Sequence, residues 1–316
     1  MYEIKAIGVG KKRFEWRNWF VYFVLVVLII VFALLSKVFL TPANFESIGR
    51  QTAMVSIIAF GGTFVITSGN IDLSVGSIVG LVGVVAAMCM RAGLGIPLSS
   101  IMGILTGVGF GLVNGVLVAK AKIPAFLVTL GTMGIARGLA LTVTNTKAVI
   151  IMNDKFTQLW GAGSVGGLPT SILWTTVLFV LAIWLYHYTA FGNYVKAVGG
   201  NKIAAVYSGV KVDRVTIWVF VLAGFMAAIA GLLMAARLKS GRPEVGNGME
   251  LDAVAAIILG GTALSGGQGK MVNTLIGSLI MGVIVNGLIL MGVQSNIQDI
   301  IKGTIIIAAV SLSEKQ

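Results

Sequence analysis

Gly62-Thr-Phe-Val-Ile-Thr-Ser68-Gly-Asn70-Ile-Asp72-Leu-Ser74-Val-Gly-Ser77 decides how this chain is read, because it sets a carboxylate between two long apolar runs. Asp72 is flanked by Ser68, Asn70, Ser74 and Ser77. Polar or irregular backbone at membrane depth survives only when buried in protein or lining a water-filled cavity. The segment is therefore the first candidate for a translocation path.

The surrounding composition sets the class. The 316 residues are 57% apolar and 11% charged, with a mean hydropathy of +0.98, far outside the soluble average. Gly is abundant at 42 residues and Pro scarce at 5, which suits closely packed transmembrane helices. The net charge of +12 comes from basic residues in short loops between apolar runs. The positive-inside rule accounts for it better than nucleic-acid binding does.

An apolar helix of about 20 residues crosses the hydrocarbon core. On that rule spans are expected near 19–40, 48–67, 75–90, 97–119, 123–143, 170–188, 215–236, 253–269, 273–292 and 297–313. The expected fold is an all-α integral membrane protein of about ten transmembrane helices, forming a single transmembrane domain over 1–316. The stretches at 75–90 and 253–269 are short and Gly-interrupted, so each is a candidate broken or re-entrant segment. The first apolar run is longer than a signal-peptide core and has no small-residue cleavage pattern behind it, so it reads as an uncleaved span after a cytoplasmic tail, 1–18.

Orientation follows from the loops. With the N-terminus inside, the inner side receives Lys5, Lys11, Lys12, Arg13, Arg17, Lys120, Lys122, Lys196, Lys202, Lys211, Arg214, Lys270 and Lys315, thirteen residues. The outer side receives six: Arg91, Lys147, Lys155, Arg237, Lys239 and Arg242. This bias places both termini in the cytoplasm, with loops 144–169 and 237–252 outside and loop 189–214 inside. Lys37, Arg50, Arg137 and Lys302 fall within spans.

A weak two-half repeat is visible. Gly61-Gly62-Thr63 and Thr67-Ser68-Gly69 are echoed by Gly260-Gly261-Thr262 and Leu264-Ser265-Gly266-Gly267, and Gly131-Thr132 by Gly303-Thr304. Paired Gly-interrupted segments in two halves mark a central pathway in many transporters. Coincidence between Gly-rich stretches is the competing account.

Gly103, Gly107, Gly111 and Gly115 recur every fourth residue. They put a bare stripe on one helical face against which a neighbouring backbone can pack, with Asn114 beside it. Arg137 lies deep within a span, where a cation faces the bundle interior and pairs with a carboxylate or carbonyls, or snorkels.

Several strings suggest chemistry that the rest of the chain withholds. Leu264-Ser-Gly-Gly-Gln268 spells the signature sequence of ABC-type ATPases. A phosphate-binding loop, however, needs Gly-x-x-x-x-Gly-Lys-[Ser/Thr]. Around Gly269-Lys270, Leu264 stands at the first Gly position and Met271 at the hydroxyl position. Gly161-Ala-Gly-Ser-Val-Gly166 matches a dinucleotide fingerprint only as a string, since it lies between two apolar spans rather than in a βαβ unit. One cysteine (Cys89) and one histidine (His187) cannot assemble a catalytic set, a disulfide or a metal site. No catalytic residue, metal or cofactor is expected.

Loop 189–214 carries Gly199-Gly200-Asn201 and then Ala204-Ala205-Val-Tyr-Ser-Gly209. A short helix ending at a Gly turn makes a compact plug for a groove in a partner. Its second part resembles the Ala-Ala-x-x-x-Gly pattern by which ABC import permeases dock on their ATPases. The usual acidic residue before the paired alanines is Ile203 here.

Together with Ile71–Ser77 and Met249–Gly269, this loop makes the chain resemble the ribose-type monosaccharide permeases of bacterial ABC importers from about Asn44 to Ser311. Asn70 departs from the small Gly common there. The resemblance implies a non-enzymatic subunit of the inner membrane with cytoplasmic ATPase subunits, an extracytoplasmic sugar-binding protein and a second permease as partners. It makes Gly199, Gly200, Asn201, Ala204, Ala205 and Gly209 candidates for ATPase coupling.

Ser68, Asn70, Asp72, Ser74, Ser77, Asn114 and Arg137 are candidates for the translocation path. Arg237, Lys239, Arg242, Glu250 and Asp252, a mixed-charge outer loop, are candidates for docking the binding protein. Two roles are open to Asp72: bonding passing hydroxyls, or holding its loop in shape. An ion-coupled secondary transporter is the alternative function. It is disfavoured because that class places several ionisable groups at mid-membrane.

Overall fold

In the computed structural model, residues 16–314 are described; most of the expected tail, 1–15, lies outside them. Thirteen α-helices account for nearly all regular structure in this range. They are α1 (Trp16–Leu35), α2 (Pro42–Thr67), α3 (Val75–Arg91), α4 (Ile96–Ala119), α5 (Ala125–Thr144), α6 (Asp154–Thr157), α7 (Thr170–His187), α8 (Ala190–Gly200), α9 (Lys202–Tyr207), α10 (Val212–Arg237), α11 (Met249–Leu259), α12 (Met271–Leu290) and α13 (Ser295–Glu314). Two miniature antiparallel pairings tie down one end of the bundle. β1 (Val149–Ile150) pairs with β4 (Ser240–Gly241), and β2 (Ser164–Val165) with β3 (Leu168–Pro169).

Six of these helices, α2, α4, α5, α7, α10 and α12, are long and apolar enough to cross a membrane, and Val21–Leu35 and Val75–Arg91 are shorter apolar helices. The span expected at 253–269 is different. Helix α11 stops at Leu259, and Gly260–Lys270 is a turn-rich connection. At 1.5 Å per residue its 11 residues reach only about 17 Å, half a bilayer core. Loop 189–214 holds two helices, α8 and α9, the second being the short helix expected before the Gly209 turn.

Helix α10 is the hub, packed on α4, α2 and α3. Its contact with α4 explains the glycine stripe. A Cβ on Gly107 would meet the Gly224 carbonyl and Ala228. One on Gly111 would meet the Phe220 carbonyl, and one on Gly115 would meet Ile217. The buried face of α4 is Ser99, Ser100, Gly103, Gly107, Gly111, Asn114, Gly115 and Ala119. Leu98, Leu105, Leu112 and Val113 point outward. Small residues inward and large apolar residues outward is the arrangement expected where lipid, not water, surrounds the bundle.

A polar seam joins α2 to α12. Asn44 and Asn286 exchange two amide bonds at 3.1 and 2.9 Å, and Thr63 meets Thr274 at 2.9 Å. The repeat suggested by the sequence is not reproduced string for string. Gly61-Gly62-Thr63 lies inside α2, whereas Gly260-Gly261-Thr262 ends α11.

Candidate functional site

Two helices begin inside the bundle rather than at its ends, and their starts adjoin. Helix α2 closes in a Schellman turn, with the Gly69 amide donating to Ile66 and the Asn70 amide to Val65. The side chain of Asn70 folds back on the same turn, donating to Ser68 Oγ at 3.0 Å. Residues 70–74 then run without helical structure to the start of α3. The Ile71 carbonyl accepts a bond from Thr129 Oγ1 at 3.4 Å.

Asp72 anchors this run. Its Oδ1 accepts from the Ser74 amide at 2.9 Å and from Ser74 Oγ at 2.6 Å. Ser74 Oγ in turn accepts from Asn114 Nδ2 at 2.9 Å. Three of the candidate residues, on two elements 40 positions apart, thus form one network. Asp72, Ser74, Ser77 and Asn114 are all buried.

The second interior start belongs to α11. After β4 the chain runs back into the bundle along α3. Gly241 lies on Gly83 and Val84, the Pro243 and Val245 carbonyls lie on Gly80, and Gly246 lies on Gly76. Arg137, on α5, fastens this segment: its Nη1 donates to the Pro243 carbonyl and, at 3.1 Å, to the Val245 carbonyl. The guanidinium therefore pairs with carbonyls of 243–245 and does not bond Asp72. Of the residues assigned to the outer loop, Arg237, Lys239 and Arg242 are exposed. Glu250 is buried, its Oε2 set over Gly76. Asp252 pairs with Lys302 of α13 at 3.4 Å.

At the end of the bundle where α2 and α7 finish, three glycine turns meet. The Gly267 amide donates to the Thr67 carbonyl at 2.8 Å. Gly199 is pressed against the same carbonyl, and Gly200 lies against Gly267. Gly266 and Gly267 both adopt positive φ, +87° and +80°, which glycine alone accepts without strain. The Leu264–Gln268 string is thus a turn that seats α8.

Tyr186 completes the seat, bonding Thr67 at 3.1 Å with Lys196 Nζ over its ring at 4.5 Å. Asn201 caps α9 by accepting from the Ala204 amide at 2.9 Å. Ala205 is buried, whereas Ile203, Val206 and Tyr207 are exposed. Those three outward apolar side chains escape sequence reading. Only the helical phase of α9, set by the Asn201 cap and the burial of Ala205, reveals them.

Residues 44–310 match the family described as the branched-chain amino acid transport system permease component. The chain belongs to this permease family. Among its relatives, the permease is 42% identical over 254 residues to the ribose import permease protein RbsC of Bacillus subtilis (strain 168), covering 80% of this chain and 79% of that protein. It is 40% identical over 260 residues to the ribose import permease protein RbsC of Escherichia coli (strain K12), covering 80% of each. It is 39% identical over 257 residues to the L-arabinose ABC transporter permease protein AraH of Azospirillum brasilense, covering 80% and 76%. Permeases of this kind are membrane subunits that work with a separate ATPase and a binding protein and are not themselves enzymes.

Proposed function

We propose that this permease carries a monosaccharide, a pentose or a related sugar, inward across the cytoplasmic membrane as one of two permease subunits of an ATP-driven importer. The observation that carries the reading is the match of about four-fifths of the chain to ribose and arabinose permeases at near 40% identity. The structure supports it with a short helix, α9, packed on α8 and α10, with α8 seated on the ends of α2 and α7 and with Ile203, Val206 and Tyr207 turned outward for an ATPase groove.

The end of the bundle carrying α8 and α9 is assigned to the cytoplasm, with both termini on that side, because the sequence assigns thirteen basic residues to the inner side against six to the outer. Ten segments then cross or enter the membrane: α1, α2, α3, α4, α5, α7, α10, α11 with its extended approach, α12 and α13. Exposed Arg237, Lys239 and Arg242 at the outer end form the surface that steers the binding protein. Asp72 holds the 70–74 run in shape through Ser74 and Asn114.

Reconstitution in proteoliposomes with the cognate ATPase and binding protein tests the reading. Labelled ribose, arabinose and allose are offered, and uptake of one is expected to require ATP and the binding protein and to survive collapse of the proton gradient. Uptake by the permease alone, driven by a proton or sodium gradient, would overturn it.

A further inference from the structure

Five basic residues converge beside α9 on a single carboxylate. Lys122, in the turn between α4 and α5, donates to Asp213 at the start of α10 at 2.8 Å, and Lys120 stands 4.0 Å from the same group. Lys202, the first residue of α9, is near enough for its charge to act on Asp213. Lys211 and Arg214 flank Asp213 in sequence. All five basic residues are exposed. Asp213 is the one acidic residue within 120–122 and 202–214, so four positive charges stand uncompensated there.

The positive-inside rule accounts for basic inner loops, but not for their convergence on one short helix. Apart from the tail 1–18, five of the eight basic residues assigned to the inner side lie in these two stretches. Beside them Ile203, Val206 and Tyr207 turn outward from α9. An apolar centre with a charged rim is the anatomy of a protein–protein interface. An anionic lipid surface would also attract this charge, but the level does not suit it. Helix α10 has 26 residues, about 39 Å, against a hydrocarbon core of about 30 Å. Exposed Trp218 marks the headgroup level, where indole rings settle. Asp213 lies about 8 Å further out along the helix.

We propose that Lys120, Lys122, Lys202, Lys211 and Arg214 form a basic rim to the α9 docking surface, and that this rim selects an ATPase whose groove is edged with carboxylates. The proposal rests on the reading of α9 as the helix that meets the ATPase. It adds the charge of the partner, and it brings the turn between α4 and α5 into the interface. Asp213 holds that turn in place, since it bonds Lys122 across from α10. Charges at a rim mainly speed encounter and exclude wrong partners, whereas the packed centre governs dissociation.

Binding kinetics of the cognate ATPase to the full-length permease test it, with the permease held in nanodiscs of neutral phosphatidylcholine. The association rate is expected to fall about tenfold between low and high NaCl, as screening removes the attraction. Lys202→Glu combined with Lys211→Glu is expected to slow association about tenfold at low salt and to remove most of the salt dependence. Dissociation should stay near the wild-type rate. Lys202 opens α9 and Lys211 stands immediately before α10. A carboxylate at a helix start is favourable, so the reversals leave both helices intact.

Should the double variant fold poorly, the salt dependence of the wild-type permease decides the matter. An association rate indifferent to salt, or unchanged by the double reversal, overturns the proposal. A charge effect that appears only in nanodiscs containing phosphatidylglycerol assigns the rim to lipid and overturns it equally. In each of these cases ATP-driven uptake would stand. Failure of the ATPase to bind at any salt concentration would instead overturn the importer reading, and this proposal with it.

Discussion

Replacing Gly199 with Ala tests whether the seat of α8 transmits force between an ATPase and the bundle. A Cβ at this position would collide with the Thr67 carbonyl and stand 2.7 Å from the Gly267 amide nitrogen. Both neighbours are backbone, so neither can swing aside as a flexible side chain would. The Thr67–Gly267 bond of 2.8 Å must stretch or break, at about 1 kcal/mol. Overpacking of a tight contact adds roughly 1–3 kcal/mol. The sum, roughly 2–4 kcal/mol, shifts the seating equilibrium by about 30-fold or more.

Gly93, in the turn after α3 and away from the coupling loop, provides the control. Its φ is +85° and a Cβ there would meet nothing within 4 Å, so Gly93→Ala costs only about 1–2 kcal/mol of backbone strain. In proteoliposomes with the ATPase and binding protein, Gly199→Ala is expected to abolish most sugar uptake while ATP hydrolysis continues. Gly93→Ala is expected to retain most uptake. Full coupling in Gly199→Ala at wild-type expression would refute the assignment of this contact as the mechanical joint.

Other consequences are equally measurable. Arg137→Met leaves the Pro243 and Val245 carbonyls without their donor and should lower stability by about 2–4 kcal/mol, read as a fall in thermal midpoint; an unchanged midpoint would show that the 243–245 run holds itself. Gly111→Leu drives a side chain into the Phe220 carbonyl and should prevent accumulation of folded permease in the membrane, whereas Gly109→Leu, at a position with nothing within 4 Å, should be tolerated. Tyr207→Glu places a charge on the exposed face of α9 and should reduce co-purification of the ATPase with little change in the permease's own melting. In a Cys89→Ala background, cysteines at the exposed Met152 and Lys239 should label from the extracytoplasmic side; labelling from the cytoplasmic side would invert the topology.

The sequence by itself determined what depends on short spacing. Hydropathy over windows of about 20 residues marks the long spans. A period of four in Gly103, Gly107, Gly111 and Gly115 marks a close-packed face, because residues four apart share one side of a helix. Asp72 stood out because a carboxylate between apolar runs is costly, and its bonds to Ser74 are local, two residues away. The Ala204–Gly209 turn was legible for the same reason.

Only the tertiary structure decided what depends on residues far apart in the chain. It placed Glu250 under α3 instead of on an outer rim, and set Arg137 against the carbonyls of 243–245, more than 100 positions away. It brought Leu264–Gln268 onto Thr67 and Gly199 as a seat. It ended α11 at Leu259, where the short, Gly-interrupted window 253–269 left a full span and a broken segment both open. Hydropathy registers whether a segment suits lipid or protein interior, but both environments reward the same side chains. Whether an apolar segment crosses, turns back or stops midway is set by which backbone groups find partners, and those partners come from elsewhere in the fold.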